Sequence, residues 1–297
     1  MKNQYVGDVG DFGKYALLRA FCKASVKVGV NWYLTENDGS NDGKFTSYLN
    51  DESMLYRCPE VFQVLSPIAD EADKSVNDIE RSGILPNAIF YGAMLKPEGT
   101  PTERVNARTE WFAESEKVLG GADLIFMDPD NGLLEKGDAS ALGAEKYVLP
   151  DEVEAYFKAG HDVVYYCHKG RRTLDAWQDY KSVMFERMPD AKPAVLTYHK
   201  GSQRSYIFLI HAKSFVKYRR IIDQFMRGWH RIFSEEFTNK PDPAFEKIGP
   251  SFTLTKSDGS TVTLENRADG QVALKYSKRP NETIVMEADL ICSCLGI

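Results

Sequence analysis

The run Leu124-Ile125-Phe126-Met127-Asp128-Pro129-Asp130-Asn131-Gly132 sets two carboxylates and an amide directly behind an apolar stretch. Such a stretch predicts a buried strand, and proline ends its ladder because it has no N–H to donate. Asp128, Asp130 and Asn131 would then stand at a strand exit, open to a ligand and able to hold an amine, a cation or a proton. Pro, Asp, Asn and Gly are also ordinary turn residues. The position behind a buried strand is what makes this the leading catalytic candidate.

A second candidate is Val6-Gly7-Asp8-Val9-Gly10-Asp11-Phe12-Gly13-Lys14-Tyr15, which runs into an apolar helical pattern. Its glycines match neither the dinucleotide fingerprint nor the P-loop. Asp8 and Asp11 would repel a phosphate, so the loop suits an amine, a hydroxyl or a metal. Acids and glycines are also what a helix N-terminus takes for its dipole and its tight entry. Two more polar clusters follow apolar runs: Glu36-Asn37-Asp38-Gly39, and His168-Lys169-Gly170-Arg171-Arg172. In the latter, His168 could move a proton, and Arg171 and Arg172 could bind an anionic substrate.

The elements that must carry these clusters are four continuous apolar runs, 28–34, 122–127, 162–167 and 205–210, with helical patterns between them at 102–119 and 150–159. Continuous runs predict strands covered on both faces. Strands spaced by helices predict an α/β fold with a doubly wound, mostly parallel, Rossmann-like sheet. In such sheets ligands gather outside the carboxyl ends of the strands, which is where the polar clusters fall. The segment His199-Lys200-Gly201-Ser202-Gln203-Arg204 precedes the last run and reads as a structural loop, with Arg204 entering the sheet edge.

After residue 240 the pattern changes. Pro241-Asp242-Pro243 reads as a linker, and 248–297 as short alternating strands with Asp258-Gly259 and Asp269-Gly270 hairpin turns, a small β-meander or barrel-like appendix. The expected division is a catalytic domain over 1–240 and that appendix. Of 297 residues, 43% are hydrophobic and 27% charged, enough for one large core and against global disorder. No stretch approaches the ~18–20 apolar residues of a membrane helix, and the first residues lack a signal-peptide core. A cytoplasmic protein with no membrane partner is expected. Cys22, Cys58, Cys167, Cys292 and Cys294 are scattered, so no structural disulfide is expected, and Cys292-Ser293-Cys294 lacks the ligands of a zinc site.

A resemblance adds to this reading. Gly7-Asp8, Asp11 and Lys14 before an apolar helix resemble the N-terminal segment of the bacterial 23S ribosomal RNA adenine-N6 methyltransferases of the RlmJ type. Trp32-Tyr33-Leu34 leading to Asp38-Gly39 is similar to that family's first strand and glycine loop, and Asp128-Pro129-Asp130-Asn131 takes the place of its Asp-Pro-Pro-Tyr motif. Order and approximate spacing agree over residues 5 to 210. The resemblance implies S-adenosylmethionine as cofactor, with Asp8, Asp11, Lys14, Asp38 and Gly39 near it, and Asp128 as acceptor for an exocyclic amine of a base taken out of its stack. Asp130 and Asn131 depart from the motif: they remove the stacking face and add a negative charge.

That departure motivates a rival reading. Asp38, Asp128 and Asp130, with Asp8 and Asp11, could together hold Mg²⁺ or Mn²⁺ for phosphodiester hydrolysis, making a nuclease or phosphoesterase. A third reading is a catalytically degenerate nucleotide-sensing module. Net charge is −6, so contact with a nucleic acid or nucleotide requires a local basic patch. The helical pattern over 213–233 offers one: Lys217, Arg220, Arg227 and Arg231 beside an apolar face of Tyr218, Ile222, Phe225 and Trp229.

Overall fold

The computed structural model describes residues 1–40, 43–236, 251–255, 260–266 and 271–287. The chain divides into two compact units, Met1–Phe237 and Thr238–Ile297. The linker Pro241-Asp242-Pro243, both Asp-Gly turns, and Cys292 and Cys294 lie outside the described residues.

The first unit begins with helix α1 (Val9–Lys23), capped by the Asp8 carboxylate, which accepts from the Gly10 N–H, with Asp11 in the first turn. Strand β1 (Val28–Asn31) follows, then short helices α2 (Glu52–Arg57), α3 (Pro59–Ala69) and α4 (Val76–Ser82), and strand β2 (Ile89–Tyr91). Helix α5 (Pro101–Leu119) starts with Thr100 and Glu103 in a reciprocal capping box and Pro101 at its first position. Strand β3 (Leu124–Met127) leads to a short parallel pair, β4 (Gly132–Leu133) and β5 (Tyr147–Val148). Then come α6 (Pro150–Lys158), β6 (Asp162–His168), α7 (Leu174–Arg187), β7 (Lys192–Tyr198), β8 (Arg204–Ile210), α8 (Ala212–Trp229) and β9 (Phe233–Glu236).

Seven strands make one sheet in the order β2-β1-β3-β6-β8-β7-β9. β1, β2, β3 and β6 are mutually parallel, while β8 runs antiparallel between β6 and β7, and β9 antiparallel to β7. The α/β architecture with a mostly parallel sheet is therefore as the sequence predicts. One placement differs: β8 is an interior strand, not an edge, because β7 pairs along its other side. Running antiparallel, it puts the amino end of β8 beside the carboxyl end of β6, so Arg204 reaches the rim where the parallel strands end.

The sheet is covered on both faces. One core gathers Phe12, Leu17 and Phe21 of α1 with Val61, Ile79, Phe208 and the apolar face of α8; the other gathers Trp111, Tyr156 and Trp177 of α5, α6 and α7 with Ile125, Val163 and Leu209. Tyr218, Ile222, Phe225 and Trp229 are buried, and Lys217, Arg220, Arg227 and Arg231 exposed, as the periodicity requires. Among the described residues no helix is long and apolar enough to cross a membrane. Cys22, Cys58 and Cys167 are free thiols.

In the second unit, β10 (Ser251–Thr255), β11 (Thr261–Asn266), β12 (Gln271–Tyr276) and β13 (Arg279–Glu287) pair antiparallel in sequence order. Phe252 stands opposite Leu264 and Leu254 opposite Val262.

Candidate functional site

From β1 the chain moves outward to β2 and then crosses back to β3 on the other side of β1. The gap between the carboxyl ends of β1 and β3 is thus the topological switch point, where an open α/β sheet leaves a crevice for ligands. The residues emerging there are Trp32 to Thr35 after β1 and Asp128 to Asn131 after β3. Asp128 stays in register, donating its N–H to the Asn31 carbonyl at 2.9 Å. Tyr33 turns away in the left-handed region, φ 44°, and its phenol is anchored on Glu152 at 2.9 Å.

Buried charges fill this position. The Lys14 ammonium lies 2.7 Å from Asp11 and 2.8 Å from Asp128, with Trp32 and Tyr15 ring centroids 5.6 and 4.9 Å away. Burial pushes the Asp11 and Asp128 carboxyls above the usual range, against the pull of Lys14. Burial also opposes the charge on Lys14, but the two carboxylates outweigh it and hold the lysine above its usual value. Arg204 pairs with Asp8 at 3.0 Å and lies close to Tyr166, whose phenol burial pushes up to about 12.

Gly10 and Gly13, three apart on one face of α1, make these approaches possible. A Cβ at Gly10 would sit 2.5 Å from the Arg204 guanidinium carbon, and one at Gly13 would sit 2.8 Å from the Tyr198 ring. The glycine spacing therefore serves close packing against β7 and β8 rather than phosphate binding.

A second cluster is built around Asp130. Its carboxylate lies 2.8 Å from the Met1 amino nitrogen and 3.6 Å from Lys2 Nζ, and it accepts from Thr35 Oγ1 at 3.1 Å. The same Met1 nitrogen donates to the Tyr33 carbonyl at 3.0 Å and the Asp128 carbonyl at 2.9 Å. Two carbonyls thus accept from one nitrogen, and a carboxylate pairs with its charge. Lys2 continues to Asp38 at 2.6 Å, and that bond holds the exposed Asp38 carboxyl below its usual value.

Beside this point lies a cavity of about 330 Å³ at the carboxyl ends of β1 and β2, whose walls include Thr35, Asp38, Leu95, Pro97, Arg104 and Lys146. Gly39 follows Asp38 with φ 68° and open space around it. A volume of this order falls at the low end of small-molecule sites.

The predicted residues separate accordingly. Asp8, Asp11, Lys14, Asp38, Asp128 and Asp130 are brought to one rim. His168 ends β6 on the same rim, half-buried and close to Asp130, with Nδ1 buried and lacking a hydrogen-bond partner. Burial, then Arg172 and Arg204, lower the pKa of its imidazole. Asn131 serves the backbone, its N–H donating to the Lys146 carbonyl at 2.9 Å. Gly132, φ 105°, has Tyr180 Oη and Cys167 Cβ where a side chain would be, so the Asp-Asn-Gly stretch opens into β4 rather than closing a hairpin. Arg171 is exposed, while the Arg172 guanidinium lies over the Tyr180 ring at 4.0 Å and pairs with Glu135 at 3.5 Å.

The proposed metal set is not assembled. Asp38 is held by Lys2, Asp128 by Lys14, and Asp130 by Met1 and Lys2. Among the described residues no three His, Cys, Asp or Glu side chains form a group that could hold a metal ion. Cations intrude because α1 and the N-terminal residues pack directly onto the strand ends.

Sequence reasoning passed over Met1, Lys2, Thr35 and Tyr166, and read Arg204 only as part of a structural loop. Arg204 had a signal: it opens a strand directly after a Lys-Gly turn, and antiparallel pairing would carry it to this rim. Met1 and Lys2 had none, because no periodicity marks a residue that bridges singly to Thr35. Comparison of the chain with protein-family models and with curated proteins finds no match.

Proposed function

We propose that this chain is an S-adenosylmethionine-dependent, methyltransferase-like enzyme acting on an amine of a nucleic acid or nucleotide. One observation carries the reading: the carbonyls of Tyr33 and Asp128 and the carboxylate of Asp130 surround a single nitrogen at 2.8 to 3.0 Å. A set made only of acceptors selects an N–H donor and rejects a phosphate or carboxylate. The substrate amine takes the place that the Met1 nitrogen holds.

Asp128 orients that amine through its carbonyl, while its carboxylate is fixed by Lys14. Asp130 favours a nitrogen that gains positive charge as it bonds to carbon, since opposite charges attract strongly in a poorly hydrated crevice. The 330 Å³ cavity supports the cofactor assignment, because it adjoins the amine position and offers acidic Asp38 and apolar Leu95 and Pro97. Bound there, S-adenosylmethionine supplies an electrophilic methyl group. Thr35, Asp38 and Leu95 would hold it.

The test is transfer of labelled methyl from S-adenosylmethionine to pools of short oligonucleotides and free nucleotides. Incorporation is expected with the wild-type chain, and its loss with Asp130→Ala, which deletes the carboxylate of that set. Incorporation that is unchanged in Asp130→Ala would overturn the reading.

A further inference from the structure

Beside the amine position, two His-Lys-Gly turns stand side by side on the rim. His168-Lys169-Gly170 leaves β6 and His199-Lys200-Gly201 leaves β7, with Gly170 at φ 57° and Gly201 at φ 70°. The Lys169 N–H donates to the Gln203 carbonyl at 3.1 Å, joining one turn to the other. Arg171 is exposed on the first, and Lys200 on the second lies 3.8 Å from Asp51.

An exposed aromatic belongs to the same patch. Phe45 is 58% exposed, although its backbone is pinned to the α1 entrance: its N–H donates to Asp8 and its carbonyl accepts from Val9. Asp8 is held by Arg204, whose guanidinium also donates to the Lys200 carbonyl at 3.1 Å. Phe45 and the two basic turns are therefore linked by consecutive bonds.

We infer that this patch is a docking surface for single-stranded nucleic acid, with a base stacked on Phe45 and backbone phosphates on Lys169, Arg171 and Lys200. A ring open to solvent beside cations is the combination that unpaired strands use, since every base has a stacking face and every linkage a charge. The cations are local in a chain of net charge −6, so a polyanion is attracted here against the overall field. The surface deepens the proposed function by fixing its substrate class, and it rests on that reading only for what happens to the strand once bound.

The experiment is fluorescence anisotropy of a labelled single strand of about 12 nucleotides, within the ~4–16 that such surfaces cover, titrated with the full chain in the absence of a methyl donor. The strand, as RNA or DNA, is expected to bind more tightly than a duplex of equal length. The combined variant Lys169→Ala, Arg171→Ala and Lys200→Ala should weaken binding at least about tenfold and flatten its salt dependence by about 0.7 for each phosphate that is no longer neutralised. Phe45→Ala should weaken it roughly 5- to 100-fold with the salt dependence unchanged, and Phe45→Trp should restore it. Equal binding by the combined variant and wild type, duplex binding as tight as single-strand binding, or a weakening that instead follows Arg220→Ala and Arg227→Ala on α8 would overturn the inference. Because no methyl donor is present, failed methyl transfer leaves this surface standing, and failed strand binding with intact donor binding removes the surface alone.

Discussion

Lys14 on α1 donates to the Asp128 carboxylate at 2.8 Å across 114 positions of sequence. This bond, repeated toward Asp11, fastens the first helix to the strand end that carries the candidate site. It is buried on both sides, so removing the lysine leaves two carboxylates in a poorly hydrated crevice.

Lys14→Met should therefore destabilise the fold by about 3–5 kcal/mol at neutral pH. Both acids already have raised pKa values, with burial the cause, and losing Lys14 raises them further. A carboxyl whose folded pKa lies above its unfolded value favours folding below the unfolded value and loses that contribution as pH rises through the folded one. The deficit of Lys14→Met should shrink as pH falls toward about 4. Urea unfolding at several pH values measures this, and a pH-independent deficit contradicts it.

Gly10→Ala brings a methyl group to 2.5 Å from Arg204 and should cost about 1–3 kcal/mol by displacing the Asp8–Arg204 pair. Gly228→Ala, in helix α8 with nothing within 4 Å, should instead be neutral or stabilising by up to about 1 kcal/mol. Unfolding midpoints of the two variants give the comparison. Equal effects would remove the packing explanation of the glycine spacing.

His168 should titrate below the usual 6.5, since burial, Arg172 and Arg204 disfavour its cation more than nearby Asp130 favours it. A histidine with a lowered folded pKa contributes stability present above its unfolded value and lost as pH falls through the folded value. Ring proton NMR reads the pKa directly, and His168→Gln should flatten the stability profile just below pH 6.5. A resonance titrating above 6.5 would contradict the site's geometry.

Arg108 is 1% exposed and grips Glu152 with two nitrogens at 2.7 and 2.9 Å, while donating to the Ala144 and Tyr147 carbonyls at 2.7 Å. Glu152 in turn holds the Tyr33 phenol. Arg108→Met should cost about 3–5 kcal/mol, and adding Glu152→Leu should recover part of it by removing the unpaired charge. A strictly additive double-mutant cycle would show that the pair is not coupled.

The rim was legible because buried runs end in polar clusters: Asp38, Asp128 and His168 each follow such a run, and each sits where a parallel strand ends. The helix entry at Asp8 and Asp11 was legible too, but not the reason for Gly10 and Gly13. Their neighbours Arg204 and Tyr198 come from strands far along the chain, and local pattern carries no trace of that meeting. Strand β7 went unrecognised because Lys192-Pro193 opens it with a cation and a residue that donates no ladder bond. The pairing of the carboxylates was hidden for the same reason. Sequence counts carboxylates, but the cations that occupy them arrive only through tertiary packing.

Binding of S-adenosylmethionine, followed by thermal unfolding of the full chain, tests the central claim most directly. A donor at about 100 times its dissociation constant adds about 2.7 kcal/mol to the folded state, so a clear rise in melting temperature is expected with S-adenosylmethionine and none with Mn²⁺. A rise with Mn²⁺ and no response to S-adenosylmethionine at any concentration would contradict it.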